Sequence, residues 1–495
     1  MLAFGTGLCV GAATALVIGG RAALRGAARR SSSSSSSISC AIQPYTPPAW
    51  VDTVQLAAPS SRFRLGHLPT PLHAWGLPRV SEDTEVWIKR DDCTGCELSG
   101  NKVRKLEFLL AAAVEQGCDS VITVGGIQSN HCRATAAAAR RVGLEPHLIL
   151  RVEDGEEQAD PGLVGNLMLD RMVGARLHLV GGSDFARVGG WGLCERLQAT
   201  LRAQGKRPYA FPSGGSDALG TWGYVEAVRE MRAQAEAAGL RCLHRRRHLR
   251  DHRRRLLHHH HTSFALHRRR SFARVYFGCG SGGTAAGLAL AHRLSGWDAA
   301  GCELVGLGVD DDPEFFYDKI DRVRCAPERP PPRGLDPSGC GGAAPARACD
   351  PRPTPCGLSR PRSYAASAWP ASRAARSDLG SICPRPPRPS PRPPPWTPFV
   401  LPQMLRLEDR VGLGYAQSTE EELAFLTEVA QATGVVLDPV YSGKAALGMV
   451  EDLKARPVAG RVLFVHTGGL LGLYAKEAQL QPLLASTGGV GALEL

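Results

Sequence analysis

No stretch beyond residue 19 approaches the run of about 20 apolar residues that a bilayer span needs. A cysteine framework is also missing: the fifteen cysteines are odd in number and irregularly spaced, and five fall within residues 325–400. Such usage argues against a disulfide-stapled secreted fold and fits mostly free thiols in a reducing compartment. Cys93-x-x-Cys96 has no matching second pair and is read as a plain loop rather than a redox motif or half a zinc site. The His258 to His261 run lacks a second ligand cluster, so no metal is expected. Acidic residues are absent from 1–51 and sparse in two later segments, which locates the net charge of +12. Residues 1–51, 241–270 and 325–400 carry +4, +10 and +7, leaving the rest of the chain at −9. The foldable part is therefore acidic, and no nucleic-acid partner is expected.

Those basic segments look unlike packed protein. Residues 325–400 hold 20 of the 36 prolines with no sustained period, and residues 241–270 alternate Arg and His blocks with few apolar residues. Neither buries enough surface to offset backbone entropy, so both read as disordered insertions; a translated intron or a frame error would look the same. Residues 1–51 read as a targeting segment. Four arginines and the serine run 31–37 follow the apolar stretch 2–19. The composition fits a transit peptide, mitochondrial or chloroplast, leaving no membrane contact in the mature form. A secretory signal or anchor through 2–19 is the alternative.

From about residue 62 short apolar runs alternate with helical spacing. Strands are expected at 86–88, 120–124, 146–150, 177–180, 209–211, 274–277, 303–308 and 462–465. Helices are expected at 102–116, 134–139, 163–173, 191–204, 219–238, 285–293, 312–323, 419–433 and 443–454. This alternation predicts an α/β fold of parallel sheets with helices on both faces. Both insertions fall in helix-to-strand connections, where added length raises the closure entropy only slowly.

The chemistry sits at the junctions. Lys102 starts a helix that Ser99 or Asn101 can cap, a place where amide dipoles and nearby cations favour a neutral, nucleophilic amine able to condense with an aldehyde. Gly280-Ser281-Gly282-Gly283-Thr284 lies between a strand and a helix, where glycines admit a phosphate to the backbone and hydroxyls add donors. The same stretch also reads as a dinucleotide fingerprint, Gly278-x-Gly280-x-x-Gly283, with Glu303 about twenty residues on. Gln128-Ser129-Asn130-His131, the Asp438 to Lys444 run containing Tyr441, and Thr467-Gly468-Gly469 are likewise placed at strand ends or helix starts.

Taken in order, S-G-N-K-V-R-K-L-E, G-G-I-Q-S-N-H, G-C-G-S-G-G-T, D-P-V-Y-S-G-K and H-T-G-G resemble the 1-aminocyclopropane-1-carboxylate deaminase/D-cysteine desulfhydrase family. That family belongs to the tryptophan-synthase-β-like, fold-type II enzymes that use pyridoxal 5'-phosphate. The resemblance covers roughly 60–240, 272–323 and 405–480 and fails across both insertions. It implies that Lys102 holds the cofactor and later acts as a base. It implies that Gly280, Ser281, Gly282, Gly283 and Thr284 cradle the phosphate with help from Lys105, and that Asn130 meets the cofactor's phenolic oxygen. Ser129 would contact the substrate carboxylate, Tyr441 would face the substrate, and Thr467 would donate to the ring nitrogen.

The resemblance also ranks the activities. The cyclopropane deaminase has glutamate at the position of Ser442 and leucine at that of Thr467. A hydroxyl partner leaves a weaker electron sink, which suits thiolate elimination. A small-molecule amino-acid substrate follows, D-cysteine first. The cyclopropane deaminase activity and a non-catalytic scaffold disrupted by the insertions are the alternatives, and a homodimer is the family expectation. The implied organisation is two-domain. A larger cofactor-binding part takes 52–103, 216–240, 271–324 and 401–495, and a smaller α/β part takes 104–215.

Overall fold

The computed structural model describes residues 40–51, 57–240, 272–310 and 405–485. The segments 241–270 and 325–400, the helix expected at 312–323 and most of the targeting segment 1–51 lie outside the described residues.

In chain order, β1 (Gln43–Pro44) and β2 (Ser61–Arg62) form an antiparallel pair, followed by β3 (Leu72–Ala74) and β4 (Thr84–Arg90). Helix α1 (Lys102–Glu115), β5 (Ser120–Gly126), α2 (Asn130–Arg141), β6 (Glu145–Val152), α3 (Gly165–Met172) and β7 (Arg176–Gly181) come next. Then follow α4 (Gly182–Val188), α5 (Gly190–Ala203), β8 (Pro208–Ala210) and α6 (Trp222–Ala237). The last elements are β9 (Arg274–Cys279), α7 (Gly283–Leu294), β10 (Glu303–Gly308), β11 (Leu405–Asp409), α8 (Glu420–Thr433), α9 (Ser442–Ala455), β12 (Gly460–His466) and α10 (Glu477–Ala485).

The larger sheet has six strands in the order β11-β10-β9-β12-β4-β3, all parallel except the edge strand β3. The smaller sheet is all parallel in the order β7-β6-β5-β8. Runs such as Val275-Tyr276-Phe277 and Val462-Leu463-Phe464-Val465 are buried throughout, as strands covered on both faces must be. On one face of the larger sheet Val225, Val228 and Met231 of α6 and Leu288 of α7 pack with Val275, Phe277 and Leu463. On the other, Phe425 and Val429 of α8 and Met449 and Val450 of α9 pack with Tyr276, Val305 and Phe464. The smaller sheet is covered alike, by Cys194 and Leu201 of α5 against Ile122, Val124 and Ile149, and by α2 with Leu167 of α3 against Leu148 and Leu150.

Helix starts follow local chemistry. Ser129 Oγ caps α2 by accepting from Cys132 N, and Thr419 with Glu422 closes a reciprocal capping box on α8. The expected cap on α1 is not found. Asn101 has helical backbone angles, and neither it nor Ser99 caps with its side chain; Asn101 Nδ2 instead reaches Thr284 Oγ1 at 3.0 Å. The approach to α1 is held by the backbone: Gly100 N donates to Asp91 O (3.1 Å) and Asn101 N to Thr467 O (3.0 Å). Behind it, buried Arg104 grips Asp91 with Nε at 2.9 Å and Nη2 at 2.6 Å, and reaches Glu230, which also pairs with Lys89.

Candidate active site

Strands β9, β12 and β4 are neighbours, so their carboxyl ends bring the Gly280 loop, Thr467 and the Asp91–Lys102 connection together. This is where open parallel sheets bind ligands. Asn101, Lys102, Asn130, the glycines 278, 280 and 282, Ser281, Thr284, Tyr441 and Thr467 line one narrow slot. It shares Lys102, Asn130, Ser281 and Tyr441 with a cavity of about 450 Å³ that also takes in Ser129, His131, Tyr415 and Trp191. Ten of the eleven sequence-predicted site residues thus touch the site or its loop; the exception is Lys105. It is buried with Nζ on Gly214 O at 3.0 Å, and it lines neither space.

Close approach explains two of the glycines. A Cβ on Gly280 would lie 2.7 Å from the Tyr441 ring, and one on Gly468 (φ 83°) would lie 2.5 Å from Gly100 Cα. The phosphate-type loop is braced from the turn at 213–216. Ser216 Oγ accepts from Gly283 N (3.2 Å) and donates to Ser281 Oγ (2.8 Å). Gly282, the residue before α7, has no side chain with which to cap it; Ser216 takes the Gly283 amide, and Thr284 and Ala285, the next residues of the helix, line the slot and offer their amides as an anion seat.

Donor directions follow from partners. Asn130 Oδ1 accepts from Asn166 Nδ2 (3.1 Å), which turns Asn130 Nδ2 to the slot. Ser129 Oγ accepts from Cys132 N (3.2 Å), leaving its O–H to donate into the cavity. Thr123 Oγ1 donates to Phe211 O (3.1 Å), so His131 Nε2–H must donate to that hydroxyl (2.9 Å), and Nδ1 is a bare acceptor. Burial, with Lys102 and Lys105 nearby, holds His131 neutral, well below the usual imidazole range. The Tyr441 and Tyr415 hydroxyls lie 2.8 Å apart. Burial pushes Tyr415 up to about 12 and Tyr441 well above its usual range, so both stay protonated.

Asp438 holds Tyr441 in place. Its buried carboxylate accepts from Val440 N (3.0 Å), Tyr441 N (2.8 Å), Ser442 N (2.7 Å) and Ser442 Oγ (2.5 Å). Tyr415, Asn166 and Ser216 are residues that motif reading missed, and Asp438 lies in a recognised motif without a role of its own having been read for it. Asp438 had a usable signal, since it opens the Asp-Pro turn before α9; the other three sit in ordinary sequence surroundings.

The dinucleotide reading fails. Glu303 is the first residue of β10, at the amino edge of the sheet, paired with Arg274 and Arg406. A ribose bound at the carboxyl edge is out of its reach. Cys93 and Cys96 are exposed free thiols, and partial burial beside Asp92 pushes the Cys93 thiol up, away from a reactive thiolate. Among the described residues no group of three or more His, Cys, Asp or Glu could hold a metal ion.

An amine at a helix start, a glycine-rich anion seat and a hydroxyl at the central strand edge are the donor set that an aldehyde-bearing phosphate cofactor requires. Residues 63–348 match the family described as pyridoxal-phosphate dependent enzyme, and the chain belongs to that family. More narrowly, it groups with the D-cysteine desulfhydrases and 1-aminocyclopropane-1-carboxylate deaminases. It is 39% identical over 447 residues to a mitochondrial bifunctional D-cysteine desulfhydrase/1-aminocyclopropane-1-carboxylate deaminase of Arabidopsis thaliana, covering 90% of this chain and 86% of the relative. A D-cysteine desulfhydrase of Yersinia pestis is 31% identical over 415 residues, covering 83% and 94% of the two chains. Among solved structures, one described as an ACC deaminase homologue superposes with a TM-score of 0.56 at 25% identity, covering 87% of this chain and 98% of the other. The fold is therefore that of the fold-type II pyridoxal-phosphate enzymes.

Proposed function

We propose that the chain is a carbon–sulfur lyase that converts D-cysteine and water to pyruvate, hydrogen sulfide and ammonia. The observation carrying this reading is the convergence of Lys102, the 280–284 loop and Thr467 on one slot that opens onto the cavity bearing Ser129 and Tyr441. Bound pyridoxal phosphate supplies the electron sink that makes the α-hydrogen of an amino acid acidic. Lys102 anchors the group and its amine then removes the α-proton. The Thr284 and Ala285 amides of α7 would seat the phosphate, Asn130 Nδ2 would donate to the phenolic oxygen, and Thr467, at the end of the central strand, would meet the ring nitrogen. Ser129 O–H receives the substrate carboxylate. Tyr441, kept protonated and backed by Tyr415, donates toward the departing sulfur.

The test is a comparison of pyruvate and sulfide release from D-cysteine, L-cysteine and 1-aminocyclopropane-1-carboxylate by the purified full chain. Sulfide from D-cysteine is expected. Turnover of the cyclopropane alone would replace this reading with the deaminase. Borohydride reduction followed by peptide mapping should label Lys102, and an unlabelled Lys102 would overturn the site assignment. Residues 1–51 are read as a mitochondrial transit segment, tested by importing a reporter that carries them; no described helix is long and apolar enough to cross a membrane. Assembly is read as a homodimer, tested by light scattering. Residues 104–215 are read as the smaller of two lobes.

A further inference from the structure

A ladder of hydrogen bonds runs from Arg133, on α2, through Asn166, on α3, to the Asn130 amide at the slot. A guanidinium only donates, and each nitrogen of Arg133 has an acceptor. Nη1 meets Glu97 O (2.6 Å) and Nη2 meets Ser99 O (2.9 Å), both on the connection that leads into Lys102. Nε meets the Asn166 side chain at 3.1 Å, so the atom facing it must be Oδ1. The other end of the same amide lies 2.9 Å from Gln128 O, which only accepts, so that atom must be Nδ2. Two independent neighbours thus fix one orientation. The second Nδ2 proton goes to Asn130 at 3.1 Å, where it requires an oxygen, and Asn130 Nδ2 is left for the slot. The Asn166 backbone is clamped as well. Gln128 Oε1 accepts from Asn166 N (3.0 Å) and Gln128 Nε2 donates to Val164 O (3.0 Å). Arg133 and Asn166 are fully buried, which makes leaving any of these groups unpaired costly.

We propose that Asn166 is a positioning residue: held by Arg133 and Gln128, it selects the one Asn130 orientation that offers a donor to the cofactor's phenolic oxygen. Asn166 itself lines neither the slot nor the cavity. It acts through Asn130, whose amide would otherwise present either end, and makes that choice before the ligand arrives, so that ordering it is not charged against binding. Gln128 thereby gains a use within its motif. The inference rests on the reading of Asn130 as the partner of the phenolic oxygen.

The test measures equilibrium affinities of the apo form of the full chain for pyridoxal phosphate and for 3-deoxypyridoxal phosphate, which lacks the phenolic oxygen. Asn130→Ala sets the scale. The part of the wild-type preference for the oxygen-bearing compound that this variant loses belongs to the Asn130 bond, about tenfold at most for one hydrogen bond. Asn166→Asp keeps an acceptor for Arg133, whose guanidinium holds the new carboxylate ionised, and offers Asn130 an acceptor in place of a donor. The Asn130 amide should turn over, and the preference should fall by the same factor as in Asn130→Ala. An unchanged preference, with or without an equal loss for both compounds, would mark a general structural role and overturn the proposal. If Asn130→Ala itself leaves the preference intact, the reading of Asn130 fails first and the proposal with it. The double variant Asn130→Ala/Asn166→Asp should prefer the oxygen-bearing compound no less than Asn130→Ala alone; a further drop would overturn the link through Asn130. If Asn166→Asp does not fold, Asn166→Ala decides alone, and a preference equal to that of wild type would refute the link.

Discussion

Replacing Asp438 by asparagine tests whether one carboxylate sets the position of Tyr441. Both oxygens of Asp438 are used twice, Oδ2 by the amides of Val440 and Tyr441, and Oδ1 by the amide and hydroxyl of Ser442. An asparagine offers one acceptor and one NH₂ group. With its NH₂ group in the Oδ2 place two amides face a donor; with it in the Oδ1 place the Ser442 amide does, while the Ser442 hydroxyl can turn to accept, and the site is fully buried. Bonds to a charged acceptor contribute about 1.5 kcal/mol or more each, so the loss is about 1.5 kcal/mol or more even in the better orientation. That is a large share of a typical net stability of about 5–15 kcal/mol. Urea unfolding of the apo protein should show the drop as a lower midpoint with an unchanged slope. Because the Tyr441 amide loses a charged acceptor in either orientation, kcat with D-cysteine should fall with it. Ser442→Ala leaves the three amide bonds to the carboxylate but removes the hydroxyl that donates to Asp438 Oδ1 and accepts from Asp438 N (2.9 Å), so its loss should be about 2 kcal/mol. A change below about 1 kcal/mol for Asp438→Asn, with kcat intact, would refute the reasoning.

Other perturbations follow from the same geometry. Gly468→Ala forces a Cβ to within 2.5 Å of Gly100 Cα at a φ of 83°, so the 100 and 468 loops must part. Cofactor affinity should drop at least tenfold, and apo stability by about 2 kcal/mol, from the left-handed backbone alone. Burial raises Asp170 to about 8, with Arg133 opposing. The folded state keeps a proton that the unfolded chain releases, so stability declines as pH climbs from about 4 towards 8. Asp170→Asn should flatten that decline and raise the melting temperature at pH 8; an identical pH dependence in the variant would count against it. Lys102→Ala should abolish the visible absorbance that holoenzyme gains on loading, and retention of that band would exclude Lys102 as the anchor. An uninterrupted transcript reading through codons 241–270 and 325–400 would show that both segments are genuine protein.

Much of the fold was legible because fully buried parallel strands are short apolar runs. All eight expected strands are present, mostly longer by one to three residues, as with 274–277 against Arg274–Cys279. The strands that escaped are those whose pairing a neighbour imposes. β3 is a three-residue edge strand, partly exposed, and β11 follows a proline-rich stretch and alternates Leu with charged residues. The short α4 and the proline-containing α10 bury no residue fully and carried no strong period. At the site, motif glycines and the lysine announced themselves because their spacing departs from ordinary loops. Asn166, Ser216 and Tyr415 did not, since each is a single common residue brought in from another element. Asn101 departs from the expected cap because its backbone is itself helical and its side chain is turned to donate through Nδ2 to Thr284.

The larger sheet has one further consequence, for its assembly. Its middle position, between β9 and β4, is taken by β12, the last of the described strands to be synthesised. Until residues 460–466 leave the ribosome, β4 and β9 each present an unpaired apolar flank, and neither can close on the other. Nascent chains and C-terminal truncations should therefore be aggregation-prone and dependent on chaperones. Cofactor added early cannot rescue them, because the strand that carries Thr467 has yet to arrive.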